Sequence, residues 1–232
     1  MKASIKYFKR TVFFLVVLFV GCTVIGCTED EEEMNVNQVT VEANGLTKSI
    51  NDLVPEYIIE EMKSLGMPIY TGDSPPKDLE NIYLASPFIL KGSNISTDVL
   101  GFKFIDYYLK LENQNNNLLT IKVDYKNGNE NGKGIGSFIV GKFSSFSIFS
   151  EIKVVKDGKT AKAVYIYSGT IAEDGIENLH VALFMIDNNG YSPPLINNGG
   201  GRVIYDSSGL SETVNSFKTN KIKDELKSVM FN

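Results

Sequence analysis

The chain has no tryptophan, one histidine (His180) and two cysteines, Cys22 and Cys27. Both cysteines fall in the first 27 residues, so the rest of the chain supports neither a disulfide framework nor a thiolate metal site. A single histidine excludes histidine triads and most zinc chemistry. An excess of positive charge is missing too: 23 basic residues stand against 28 acidic ones, for a net charge of −5. Four of those basic residues and no acid precede Cys27, which leaves the chain from Cys27 onward at −9. Nucleic acid, which requires a basic footprint, is excluded as a partner, and so is a basic patch for a membrane surface. Apolar runs are short. The longest, Thr11–Val20, is about half the ~20 residues of a membrane-spanning helix.

That run gives the N-terminus its meaning. Lys2, Lys6, Lys9 and Arg10 precede it with no acid among them, which is the charged and then apolar order of a secretory signal. A transmembrane anchor is the competing reading, weakened by Gly21, Cys22 and Thr23. The run closes on Val24-Ile25-Gly26-Cys27, which resembles a bacterial lipobox. The resemblance implies cleavage between Gly26 and Cys27 and acylation of the Cys27 thiol. One acyl chain holds a protein only marginally, and two or three hold it stably. Cys22, after Gly21, is a second candidate, and an ordinary signal ending at Cys27 is the plain alternative. Five consecutive acids follow, Glu29, Asp30, Glu31, Glu32 and Glu33. They resemble the export signal of surface lipoproteins of the Bacteroidota, which implies display on the outer face of the outer membrane. By charge alone they form a solvated tether, since dense like charges repel.

The expected organisation is a signal peptide over 1–26, a lipidated acidic tether over 27–48, and one domain over 49–232. Pro55–Leu65 is expected to be a short amphipathic helix. Ile58, Ile59, Met62 and Leu65 follow helical spacing, Glu56 suits the first turn, and Gly66 suits the position after the end. From Asn81 the period becomes two. Leu119, Ile121, Val123 and Tyr125 alternate with polar residues, as do Ile105, Tyr107, Leu109 and Leu111. Phe146, Ile148, Ser150, Ile152 and Val154 form a third such face. Alternation of this kind marks half-buried antiparallel strands. Less regular strands are expected over 82–90, 135–140, 160–171, 179–186 and 202–205. Asp157-Gly158 is a hairpin signal, and the stretches 113–117, 127–132 and Asp174-Gly175 supply further turns. The stretch 187–201 is a long loop of the kind that carries function. Ile222, Leu226, Val229 and Met230 share one face of an expected C-terminal helix.

About eight strands joined mostly by short turns make an up-and-down meander, and closing it into a barrel removes its edges. The fold class is therefore mainly β: a roughly eight-stranded antiparallel barrel with an N-terminal and a C-terminal helix, or alternatively a β-sandwich. The stretches PPKDLENIYLASPFIL (75–90), GIGSFIVGKFSSFSIF (134–149) and GRVIYDSSGLSE (201–212) resemble a lipocalin-like (calycin-type) domain of Bacteroidota lipoproteins, over about Pro75–Ser211. The usual Gly-x-Trp opening is replaced by Asn81-Ile82-Tyr83, which weakens any transfer of classical lipocalin cargo.

No motif carries catalysis. Gly128–Gly134 (GNENGKG) is one residue short of a phosphate loop and lacks its Ser or Thr. Asp124 and the Asn127–Gly132 stretch fail the calcium-loop spacing, with Lys126 and Phe138 where ligands belong. Gly132, Gly134 and Gly136 precede a strand rather than a helix and mark a bend or bulge. His180, beside apolar residues on an expected strand, reads as structural. The expectation is a non-enzymatic outer-membrane surface lipoprotein without cofactor, a monomer held to the membrane by its N-terminal lipid. Its barrel binds a small apolar or amphipathic ligand, or is filled by its own Phe and Tyr side chains. A cell-surface adhesion or assembly component without a small ligand is the alternative.

The lipobox reading predicts that Cys27→Ser abolishes acylation, read by mass spectrometry of the mature N-terminus. Neutralising Glu29–Glu33 leaves acylation intact and removes protease accessibility on intact cells. Acyl chains on Cys22 would move the cleavage site, and unchanged accessibility would reduce the acids to a tether.

Overall fold

The computed structural model describes residues 39–217. Gly26, Cys27, the acids Glu29–Glu33 and the C-terminal helix expected around 222–230 lie outside the described residues. Two short helices, α1 (Lys48–Leu53) and α2 (Glu56–Ser64), precede the strands. The strands are β1 (Asp73–Ser74), β2 (Asn81–Ala85), β3 (Phe88–Ser93), β4 (Lys103–Phe104), β5 (Tyr107–Asn115) and β6 (Thr120–Asn127). They continue as β7 (Glu130–Lys142), β8 (Ser145–Lys156), β9 (Lys159–Ile171), β10 (Gly175–Asp187), β11 (Gly201–Asp206) and β12 (Leu210–Thr213).

All twelve belong to one sheet, antiparallel except for β1, which runs parallel to β7. From β5 to β10 each strand pairs with its successor, as the alternation and turn residues require. Asp157 and Gly158 both have positive φ, 49° and 74°, the backbone of a tight two-residue hairpin. The ends of the meander then meet. β12 pairs with β10 on one side and with β2 on the other, and β2 pairs with β5, so eight strands are hydrogen-bonded in a closed circuit. β10 changes partner along its length, from β12 at Gly175–Glu177 to β11 at His180–Phe184, where its register shifts. β11 in turn pairs with β3, so β2–β3 and β11–β12 run side by side as two interrupted strands.

The interruption divides what the sequence pattern presents as one strand over 82–90. Pro87 has no N–H to give a ladder, and the pairing changes across Ser86-Pro87. The short strands β1, β4 and β12 carry no alternation long enough to read.

Two apolar layers hold the sheet. Inside the circuit lie Tyr83, Leu109, Val123, Tyr125, Ile148 and Tyr167, among others. The second layer lies outside, where Ile50, Val54, Ile58 and Met62 pack on Phe149, Val164, Ile166, Ala182 and Val203. This outer layer explains a departure from the half-buried pattern. β5 and β6 alternate, but β8, β9 and β10 are buried on both faces because α1 and α2 cover them. Burying Ile58, Ile59 and Met62 contributes about 1.5–3 kcal/mol each. α2 is flanked by Pro55 at its N-cap and Leu65 at its C-cap, with Gly66 (φ 93°) next, so it lies within a residue of its expected bounds at each end. α1 has no counterpart in the sequence reading. Its N-cap is Thr47, a fully buried threonine whose hydroxyl accepts from the Ile50 N–H at 3.2 Å.

Residues 39–48, expected as the end of the tether, belong to the folded unit. Val41 bridges to Thr47, Leu46 is buried, and the Val39 N–H donates to the Asn117 carbonyl at 3.3 Å. Polar side chains hid this segment, because its contacts are made by a few apolar residues and by backbone.

Gly134 and Gly136 stand at a register shift between β7 and β8, so Ile135 is an extra residue on β7. Gly132 answers a packing need: a Cβ there would overlap the Tyr125 ring and Ile152. Gly132→Ala is expected to destabilise by about 1–3 kcal/mol through overpacking. Gly136→Ala, with open space around it, is expected to stay within about 0.5 kcal/mol. Urea denaturation of the two variants measures the difference.

Candidate functional site

The antiparallel order sends four connections to one end of the circuit: residues 94–106, the β6–β7 turn, the β8–β9 turn and the loop 187–201. Side chains tie them together there. Asn94 Nδ2 donates to the Gly199 carbonyl at 3.0 Å, and Asn127 Nδ2 to the Ile105 carbonyl at 2.7 Å. Asn189 Nδ2 donates to the Thr160 carbonyl at 2.8 Å. This end is the mouth. Val39 meets the β5–β6 turn at the opposite end.

The interior below the mouth is occupied by the protein itself, one of the two outcomes expected for such a fold. Phe88, Tyr107, Tyr125, Tyr165 and Tyr167 lie in succession, with ring centroids 4.7, 5.1, 5.1 and 6.0 Å apart. Their hydroxyls are satisfied internally. Tyr107 and Tyr167 share a hydrogen bond of 3.0 Å, and Tyr125 and Tyr165 one of 2.7 Å. Tyr125 Oη also donates to Glu130 Oε1 at 2.7 Å. The space beside Phe88, Tyr107 and Tyr165 is about 60 Å³, far below the roughly 300–1,000 Å³ of ordinary ligand cavities.

Above the rings a recess of about 240 Å³ opens at the mouth. It adjoins the smaller space and shares Glu130, Lys156, Tyr165, Leu183 and Arg202 with it. Leu195 and Ile196, from the loop 187–201, fold inward and roof it. Polar and apolar walls therefore face each other. Lys156 Nζ stands 3.3 Å from Glu130 Oε2, in directly opposed strand positions. Arg202 donates through Nε and Nη2 to the two oxygens of Asp98, at 2.6 and 2.7 Å. The Arg202 guanidinium holds the Asp98 carboxyl below its ordinary pKa; burial pulls the other way, and the Ser93 hydroxyl adds a smaller lowering effect. Arg202 also lies over the Phe104 ring, 5.7 Å from its centroid.

Two larger clefts lie outside this chamber. One, of about 440 Å³, runs between 94–97 and 192–200, shares Ile196 and Arg202 with the recess, and forms its polar antechamber. The other, of about 390 Å³, is an open depression of the outer surface beside the Gly134–Gly136 bulge.

The recess can receive a small charged or polar group. Lys156 and Arg202 present donors, Glu130 an acceptor, and Tyr165 a phenol, against Leu183, Met185 and Leu195. No nucleophile there stands beside a free base. The sequence reading named no ligand residues, and the signal it missed is one of phase. Glu130, Lys156 and Arg202 continue the inward positions of Gly132, Val154 and Ile204, so the inward face turns from apolar to charged at one end in three strands.

His180 lies on the outer face, stacked on Tyr205. Its Nδ1 is 2.8 Å from the Asn178 carbonyl and its Nε2 is 2.8 Å from Lys91 Nζ, so Nδ1 donates and Nε2 accepts. Burial keeps the imidazole pKa below its ordinary value, and Lys91 adds to this. Among the described residues, no three histidine or acidic side chains converge as a metal site would require.

Burial pushes the pKa of Tyr107, Tyr125, Tyr165 and Tyr167 up. A phenol whose folded pKa exceeds its unfolded value of about 10 stabilises the fold fully below pH 10, and that stability is lost as the pH rises beyond it. In a spectrophotometric titration these four phenols are therefore expected to ionise together with loss of near-ultraviolet dichroism. Smooth ionisation of all tyrosines near pH 10 in a still-folded chain would contradict the packing. No family model, curated protein or solved structure matches the chain.

Proposed function

We propose that this protein is a non-catalytic lipoprotein of the outer-membrane surface whose lipocalin-like barrel holds a small amphipathic molecule at its mouth. The observation that carries the reading is the recess, where Lys156, Arg202, Glu130 and Tyr165 converge on one apolar wall. The closed circuit of eight paired strands supports a barrel over a sandwich. The lipobox Gly26-Cys27 and the acids Glu29–Glu33 support the address.

A filled interior changes what the ligand must be. Retinoid-sized apolar cargo has no room among the tyrosines, whereas a compact polar group fits the recess. The alternative, an adhesion or assembly component without a small ligand, draws on the exposed Val99, Leu100, Phe102 and Ile105 near the mouth.

The test is calorimetric titration of the mature Cys27→Ser chain, which carries no acyl group, with decanoate, decylamine and a decyl zwitterion. At least one is expected to bind below its micelle point. Lys156→Met should weaken decanoate by roughly tenfold, the loss of one charge-assisted hydrogen bond. Absence of binding by all three probes would falsify the ligand reading and leave the assembly reading standing.

A further inference from the structure

Given the ligand reading above, we infer that the amphiphile binds head-first: an anionic headgroup enters the recess, and the apolar tail stays outside, lying across the loop Asp98–Ile105. The inference rests on that reading and specifies the ligand class and its direction.

Unspent donors give the sign of the head. Lys156, Arg202 and Glu130 line both the recess and the space beneath it, and Asp98 on Arg202 brings the local charges to two against two. Glu130 takes a hydrogen bond from Tyr125 and faces Lys156, so it is engaged already. Arg202 gives Nε and Nη2 to Asp98, and its Nη1 is left for a guest. A carboxylate or phosphate takes up these remaining donors, whereas an ammonium would find both carboxylates, Glu130 and Asp98, already engaged.

Space gives the direction. A tail cannot continue inward, because the tyrosine rings close the path and leave about 60 Å³. An apolar surface starts beside the recess instead. Arg202, which lines the recess, lies over the Phe104 ring, and Phe104 meets Phe102 edge-on, with centroids 5.0 Å apart. Beyond Phe102 stand Leu100, Val99 and Ile105, each of the four being between 55% and 70% exposed. Large apolar side chains on one short segment and this far into water are costly unless something covers them.

The loop is held in place for that purpose. Asp98, fixed by Arg202 and by the Ser93 hydroxyl at 2.6 Å, roots its start. The Gly101 N–H donates to the Leu90 carbonyl and the Leu90 N–H to the Phe102 carbonyl, both at 2.9 Å. Gly101, at φ 83°, makes the turn that this pairing needs. Little backbone ordering remains when a tail settles on such a surface. Arg202 belongs to both parts, since it faces the head, anchors Asp98 and covers Phe104.

The experiment is a chain-length series, hexanoate to dodecanoate, on the mature Cys27→Ser chain and on a second chain that also carries Leu100→Ser and Phe102→Ser. Both added substitutions fall on exposed side chains, so the fold is retained, and far-ultraviolet dichroism checks this. Affinity is expected to rise about twofold per methylene, since a tail lying on a surface buries one side of each group and full burial gives about fourfold. The double variant should lose that slope and keep its affinity for hexanoate. Decanoate should bind at least tenfold more tightly than decyltrimethylammonium. A slope that survives in the double variant, or a preference for the cation, overturns head-first anionic binding and leaves the ligand reading intact. No binding by any member overturns both.

Discussion

Five aromatic rings crossing the interior from Phe88 to Tyr167 set the conditions for the rest of the structure. They fill volume that an eight-stranded circuit would otherwise leave open. Four of them carry hydroxyls, and a buried hydroxyl without a partner costs on the order of 1–3 kcal/mol. The phenols therefore bond to one another and, through Tyr125, to Glu130. Glu130 then needs a counter-charge in partly dry surroundings, and Lys156 stands opposite it. The charged rim of the mouth is thus a continuation of the aromatic core. Gly132 belongs to the same device, because only a residue without a side chain lets the Tyr125 ring cross.

The outer layer has a different task. An antiparallel sheet can leave one face to water, and β5 and β6 do so. β7–β11 do not. Val140, Phe149, Val164, Ile166 and Val203 would be an apolar strip on the outside without α1 and α2. The segment before the first long strand is therefore part of what keeps the sheet soluble. Its connection through Val41, Leu46 and Thr47 leaves little of the polar N-terminal stretch free of the folded unit beyond residue 39.

The sequence was most legible where one face meets the core and the other meets water. Ile121, Val123 and Tyr125 point inward as their alternation requires, while Leu119, buried at φ 51°, belongs to the turn before β6; Asp157-Gly158 makes the hairpin its residues specify. Legibility failed where a second layer intervenes. Phe149 interrupts the polar side of β8 because it faces α1 and α2, a fact held in residues a hundred positions away. It failed again at β12, whose four residues Leu210–Thr213 earn their place only through partners on β2 and β10. The charged recess was hidden for a third reason. Its residues share a face only after the register is carried through the Gly134–Gly136 shift and around the circuit. Of the candidate site, the sequence showed a long loop at 187–201 and no more.

The change of partner along β10 bears on how the chain reaches this state. β5 to β10 are joined by neighbours in sequence, so they can zip as successive hairpins with little loop entropy to overcome. The seal is of another kind. It joins Tyr83 to Thr213 and Leu84 to Glu212, partners about 130 residues apart, which must wait for nearly the whole chain. Until then the free sides of β2 and β10 are bare strand edges, the sites at which chains pair wrongly. Four residues near the C-terminal end thus act as a latch: the sheet exists before them, and its protection from other chains begins only when they arrive.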